Sequence, residues 1–380
     1  MANVISENIE CCGCSACQSI CSKNAIILKK NKFGFYSPVI DDSKCVNCGL
    51  CLKKCPIYNK TNERLPLNAY ACKHKDDSKR MKSTSGGVFI GLAEAIIRQG
   101  GVCFGAAYDQ DYMGVHHTST DEVKISDLQK SKYVQSYLGN TFQSIIKEAS
   151  KGRKVLFVGT PCQCAGLRRV LKDADNVFLV DFICGGTPST KCYKQYLNQL
   201  SNNQNAKIIE LDFRSKRCGW KKQYLDITFS NGKIMHRAYY RDPYYALFCI
   251  KHITTNFICE QCPFRQRHES DITIADYWGY KKANMEYDDK GLSLVAVNTR
   301  QGMNLFNEFS EKEIKKLSFN EYGYAFNEFK FSNDHLQIKK NFFNELLLHD
   351  FNEIYSEYVK TDIYSVIIMR IKNAILKFIR

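Results

Sequence analysis

The sequence predicts an α+β protein in three parts: a small N-terminal unit built around metal–thiolate sites, a larger α/β body, and a helical C-terminal tail. Three observations carry that reading. A cysteine run occurs twice within the first 60 residues, apolar strand–turn–helix repeats follow, and a polar pattern of helical period closes the chain.

A chain of 380 residues is long enough for about two to three domains, each with its own core. Hydrophobic residues make up 44% and charged residues 24%, which fits a soluble globular protein and excludes wholesale disorder. The sequence has no run approaching the roughly 18 to 20 apolar residues of a spanning helix. The formal charge is +15, but Lys and Arg are dispersed in short runs, so nucleic acid is not expected as a partner.

Cysteine is the unusual component. Nineteen is an odd count, and the thiols begin at Cys11 with no secretory leader before them, which points to metal ligands in a reducing cytoplasm and not to a disulfide framework. Cys11, Cys14, Cys17 and Cys21 follow the spacing C-x2-C-x2-C-x3-C, and Cys45, Cys48, Cys51 and Cys55 repeat it. Three thiolates at that spacing on a tight loop cap three irons of one cubane, while the fourth serves the other cluster. The expected sets are therefore Cys11, Cys14, Cys17 and Cys55 for one 4Fe–4S cluster, and Cys45, Cys48, Cys51 and Cys21 for the second. A pair of zinc knuckles would use four ligands and leave the other thiols idle. Cys12 is extra to the pattern and reads as a bystander. So short a segment needs the clusters as its core.

A polar stretch with Pro66 leads into the body, read as residues 67–150 and 151–330. In STSGGVFIGLAEAIIRQGG, Ser85, Gly86 and Gly87 open a helix whose apolar positions recur at helical spacing, and glycines there allow backbone N–H groups to approach an anion. A plain helix start explains them as well. VCFGAAYD then reads as a strand. From residue 151, KVLFVG, TPCQCAGLRRVLK, NVFLVDF and ICGGTPSTKCYKQYLNQL give strand, helix, strand, helix, and parallel neighbours would line one crevice at their carboxyl ends. That topology brings Cys162 and Cys184 together. With Cys259 and Cys262 they form a candidate third 4Fe–4S site, with Cys164 as the rival to Cys162. QYLDITFSNGKIMHRAYY reads as a hairpin about Ser-Asn-Gly, LSLVAVN as a strand, and the chain beyond Gly302 as helical.

In order, the double cluster motif, STSGGVFIGLAEAIIRQGG, VCFGAAYD, KVLFVGTPCQCAGL, DFICGGTPS, FRSKRCGW, YRDPYYALF and SDITIADYWG resemble the beta subunits of coenzyme F420-reducing hydrogenases and dehydrogenases, over about residues 8 to 300. The resemblance implies a dicluster ferredoxin domain (residues 1–60) followed by an α/β flavin and iron–sulfur body. It also implies a flavin, FAD, and electron exchange with an organic two-electron carrier. By position, Thr84, Ser85, Gly86 and Gly87 look like the flavin phosphate loop, and Thr160, Pro161, Cys162 and Gln163 like a wall between cluster and flavin. Where many bacterial relatives have Cys-His-Gly, this chain has Cys184, Gly185 and Gly186, so it lacks that histidine.

The expected function is that of a cytoplasmic iron–sulfur flavoprotein oxidoreductase, served by an electron-donor or acceptor protein or a small redox carrier, or acting as a subunit of a larger complex. A non-catalytic electron-transfer adaptor is the alternative. No catalytic acid or base is identified, and Arg214 and Asp276 read as structural. In the tail, residues 331–380, the segment TDIYSVIIMRIKNAILKFIR reads as an amphipathic helix suited to docking on the body or to peripheral membrane contact.

Overall fold

In the computed structural model the described residues are 11–59, 65–121, 123–171, 174–281, 284–326 and 331–359. The amphipathic helix expected within residues 361–380 lies outside them. Among the described residues no helix is long and apolar enough to cross a membrane.

The N-terminal unit has two short helices, α1 (Ala16–Ile20) and α2 (Leu50–Lys53), around an antiparallel hairpin of β1 (Ile26–Lys30) and β2 (Tyr36–Ile40). Its own buried cluster is Cys17, Ile26 and Leu28, a small core for such a segment. Docking on the body adds to it. Ser189 Oγ donates to the Phe33 carbonyl at 2.5 Å and Thr190 Oγ1 to that of Gly34 at 2.7 Å. Gly34 is needed at this contact: its φ is +84°, and a Cβ there would sit 2.5 Å from the Lys191 nitrogen.

In chain order the remaining strands are β3 (Asn68–His74), β4 (Val102–Tyr108), β5 (Val115–Thr120), β6 (Val155–Val158), β7 (Val177–Phe182), β8 (Ile208–Ser215), β9 (Tyr224–Phe229), β10 (Ile234–Ala238), β11 (Ile272–Asp276), β12 (Ser293–Val297) and β13 (Lys312–Leu317). Eight of them form one mixed sheet in the order β13-β3-β12-β11-β7-β6-β4-β5. Its centre, β4, β6, β7 and β11, is parallel, which suits apolar strands such as VLFV and VFLVDF that are covered on both faces. Strand β3 is antiparallel to β12, and β12 to β11, so β3 also points with the parallel set. The turns after β3, β6, β7 and β11 consequently share one edge, the place where open α/β sheets hold their ligands.

The hairpin read about Ser-Asn-Gly is β9–β10, pairing Ile234 with Thr228, and β8 completes its separate three-stranded sheet. Beyond Gly302 the structure departs from an all-helical reading. Lys312–Leu317 is an edge strand on β3, and its exposed charges are the kind that guard an edge against further pairing. The helices His335–Leu348 and Phe351–Tyr358 pack into the body: Phe342, Phe343, Leu346, Phe351 and Ile354 join the core formed by Tyr193, Tyr196, Phe213 and Tyr244.

Candidate metal centres

The first centre lies where the N-terminal loop meets α1. Cys11, Cys14, Cys17 and Cys55 line one pocket, with Leu28, Pro38, Pro56 and Ile57 around them. Ser15 takes a left-handed conformation and caps α1, which turns the loop between Cys14 and Cys17. The Gly13 amide donates to Cys11 Sγ at 3.3 Å. Burial, with Cys14 beside it, pushes the Cys11 thiol up to about 12. Buried thiols crowded in this way become thiolates when a cation compensates them, which suits iron.

At the second centre Cys45 and Cys48 sit on the loop leading into α2, where Asn47 and Gly49 adopt positive φ, and Cys51 lies in the first turn of α2. Cys21 and Cys51 pack against the same small core, and the Ala25 amide donates to Cys21 Sγ at 3.4 Å. Cys48 is exposed, so this end of the unit faces solvent.

The third centre is at the sheet edge. Cys162, Cys184, Cys259 and Cys262 line one pocket together with Cys12, Pro161, Gly186, Arg265 and His268. Cys162 is the second residue of the helix Pro161–Val170 just after β6, and Thr160 Oγ1 lies 3.1 Å from its Sγ. Cys164 points the other way: it is fully buried, with Sγ 3.5 Å from the Val180 carbonyl. Cys184 follows β7 and accepts from the Gly186 amide at 3.4 Å. Gly186 has φ +111°, and a Cβ there would meet Thr255 at 2.8 Å and the Cys259 Cβ at 3.2 Å, so glycine permits the two cysteine loops to close on each other. The loop carrying Cys259 is pinned from behind. The wholly buried Lys339 donates to Thr255 Oγ1 at 2.9 Å, and His335 lies 2.9 Å from Glu260. Across the domain boundary, Asn256 donates to the Cys11 carbonyl at 2.9 Å.

Cys12, extra to the cluster spacing, lines the first and third pockets alike, and its thiol is within hydrogen-bonding reach of both Cys14 and Cys162. The bond from Cys12 outweighs burial and, with Thr160, lowers the Cys162 pKa. Only the fold reveals this placement, because Cys12 and Cys162 are far apart in the chain. Among the described residues no three His, Cys, Asp or Glu side chains close on a single ion. At the first and third centres the cysteines ring pockets instead, as a cubane that spreads its thiolates over separate irons requires.

Residues 152–321, which include the third pocket's four cysteines, match the family described as the C-terminal part of the coenzyme F420 hydrogenase/dehydrogenase beta subunit, and residues 10–59 match the 4Fe–4S dicluster domain. The chain thus carries the C-terminal part of this beta-subunit family over residues 152–321. Its N-terminal unit is thus a dicluster ferredoxin domain with two 4Fe–4S clusters, and at a coarse level the family is one of iron–sulfur electron-transfer oxidoreductases. An uncharacterized ferredoxin of Methanocaldococcus jannaschii is 33% identical over 79 residues, 21% of this chain and 95% of its own length. A chain of the F420-reducing NiFe hydrogenase complex from Methanosarcina barkeri is similar in structure over 77% of this chain and 91% of its own, at 15% identity and a TM-score of 0.48.

The residues expected to hold a flavin are placed at the same sheet edge. Gly86 is wedged against β3 and β12: a Cβ would lie 2.4 Å from the Cys72 carbonyl oxygen. Its amide donates to Ser293 Oγ at 2.9 Å, and Ser85 Oγ donates to the Leu292 carbonyl at 2.8 Å. Thr84 Oγ1 is 3.2 Å from Ser131 Oγ, and Gly87, at φ +84°, caps the helix Val88–Ile97. Lys216 Nζ ties this loop down by donating to the Arg80, Ser85 and Lys290 carbonyls. Gln163 accepts from the Thr160 amide at 2.9 Å and donates to Ser136 at 3.0 Å, so its side chain is committed to the turn. Pro161 lines the third pocket.

Proposed function

We propose that the chain is an oxidoreductase subunit that passes electrons through three 4Fe–4S clusters to a flavin, which exchanges them two at a time with an organic carrier. When bound, the clusters supply one-electron steps and the flavin supplies their pairing. The observation that carries the reading is Cys12, shared by the first and third pockets: it makes the ferredoxin unit and the α/β body adjoining stations. Cys162, Cys184, Cys259 and Cys262 would hold the third cluster; Cys11, Cys14, Cys17 and Cys55 the first; and Cys21, Cys45, Cys48 and Cys51 the second. The exposed Cys48 loop is the natural entry for electrons from a partner protein. The loop 84–87 and the turn 160–163, on one sheet edge, are the place for a flavin beside the third cluster, and the beta-subunit family supports membership of a larger complex.

Anaerobically purified full-length protein should hold about 12 iron and about 12 acid-labile sulfide per chain, with extractable FAD. A homogeneous preparation at about 8 iron removes the third cluster. The adaptor alternative is favoured by one observation, the Gly86 amide already given to Ser293, and would be chosen by a fully clustered protein that takes up no flavin on reconstitution.

A further inference from the structure

The third pocket contains a titratable group that the cysteine reading leaves unused. His268 stands just before β11, is nine-tenths buried, and lines the pocket with the four cysteines. Its Nδ1 lies 2.9 Å from Asp181 Oδ2. Asp181 is fully buried on β7, and its other oxygen accepts from Thr273 Oγ1 at 2.6 Å, which itself accepts from Asn298 at 3.0 Å. Ring orientation is thereby fixed: Nδ1–H donates to Asp181, and Nε2 is the remaining face, a donor when the ring is the imidazolium that a buried carboxylate partner favours. Nε2 is buried without a hydrogen-bond partner among the described residues. A buried nitrogen left unmatched is costly, so the occupant of the pocket is the expected source of a partner.

We propose that His268 is a hydrogen-bond donor to the third cluster, its Nε2–H directed to a cluster sulfur and its Nδ1–H held by Asp181. The inference rests on the third-cluster reading. A carboxylate behind a histidine is the recurring outer support of metal centres, and a donor to sulfur stabilises the reduced, more negative cluster. With both ring nitrogens donating, the imidazolium charge is balanced by the fully buried Asp181 carboxylate 2.9 Å away. His268 thus supplies a polar ring to a site whose own loop has glycines at 185 and 186. It acts on the cluster as a positioning and tuning residue.

The test uses anaerobic full-length protein, its iron count, an EPR-monitored redox titration, and pulsed EPR of protein labelled with 15N-histidine. Wild type should show a histidine nitrogen coupled to the reduced third cluster. His268→Ala should keep about 12 iron, lose that coupling and shift only the third midpoint potential downward, whereas His268→Gln, which retains an N–H donor, should recover part of the shift. If His268→Ala fails to hold the cluster, His268→Gln decides: restored cluster and potential support the role, and loss in both overturns it. Unchanged potential and coupling in His268→Ala overturn it directly. A wild type with about 8 iron and two cluster signals instead sinks the third-cluster reading before any variant is compared.

Discussion

Cys14 and Gly166 touch across the boundary between the ferredoxin unit and the body: a Cβ on Gly166 would lie 2.9 Å from both the Cβ and the Sγ of Cys14. The glycine is inside the helix Pro161–Val170, where alanine would otherwise be favoured, so its lack of a side chain serves this close approach. Gly166→Ala should cost about 1–3 kcal/mol through overpacking. Because the strained neighbour is a proposed ligand of the first cluster, cluster occupancy should fall together with the thermal midpoint. Iron analysis beside a thermal scan checks this, and a variant with wild-type iron and midpoint would mean that the interface yields without strain.

Cys162 and Cys164 are two residues apart on one helix and have opposite surroundings. Cys162→Ser should remove about four iron per chain while the ferredoxin signals persist. Cys164→Ser should keep all the iron, since its side chain lies in the core against the Val180 carbonyl and a hydroxyl can make the same bond. Iron loss in Cys164→Ser with retention in Cys162→Ser would reverse the assignment.

The features legible in the sequence were those with short-range signals. Doubled cysteine spacing marks the dicluster unit, and apolar runs followed by Thr-Pro and Gly-Gly turns mark β6, β7 and the edge bearing Cys162 and Cys184. What was not legible depends on distant partners. Nothing local in FRQRHESD distinguishes His268, whose significance comes from Asp181 on a neighbouring strand. Cys12 looks superfluous until the body is folded against it. Lys312–Leu317 carries mostly charged residues, and it becomes a strand because the edge of β3 is there to receive it. Likewise Lys339 looks like a surface residue of a polar helix, yet it is buried against the Cys259 loop.

Arg214 Nη2 is 2.7 Å from Asp276 Oδ2 at the end of β11, and Nη1 is 3.2 Å from the Tyr133 hydroxyl. Both charged side chains are largely buried, so removing one strands the other. Arg214→Ala should destabilise by about 3–5 kcal/mol, and Arg214→Ala with Asp276→Ala by less than the sum of the singles. Thermal scans at one fixed rate give the comparison. Additive losses would show that the pair does not act as a unit.

The last prediction concerns acid. His117 is buried, stacks on Phe157 with ring centroids 5.3 Å apart, and has Nε2 3.1 Å from Ser136 Oγ. Burial pushes its pKa down to about 3. An unfolded histidine protonates near about 6.5, so between those values the unfolded chain binds the extra proton and the folded chain does not. The contribution of His117 is therefore fully present above about pH 6.5 and declines by up to about 1.4 kcal/mol per unit as the pH falls toward about 3. His117→Gln, which keeps a hydrogen-bonding side chain without a titrating ring, should show a shallower fall in thermal midpoint between about pH 7 and about pH 5 than wild type. Parallel curves for the two proteins would place the acid sensitivity in other groups.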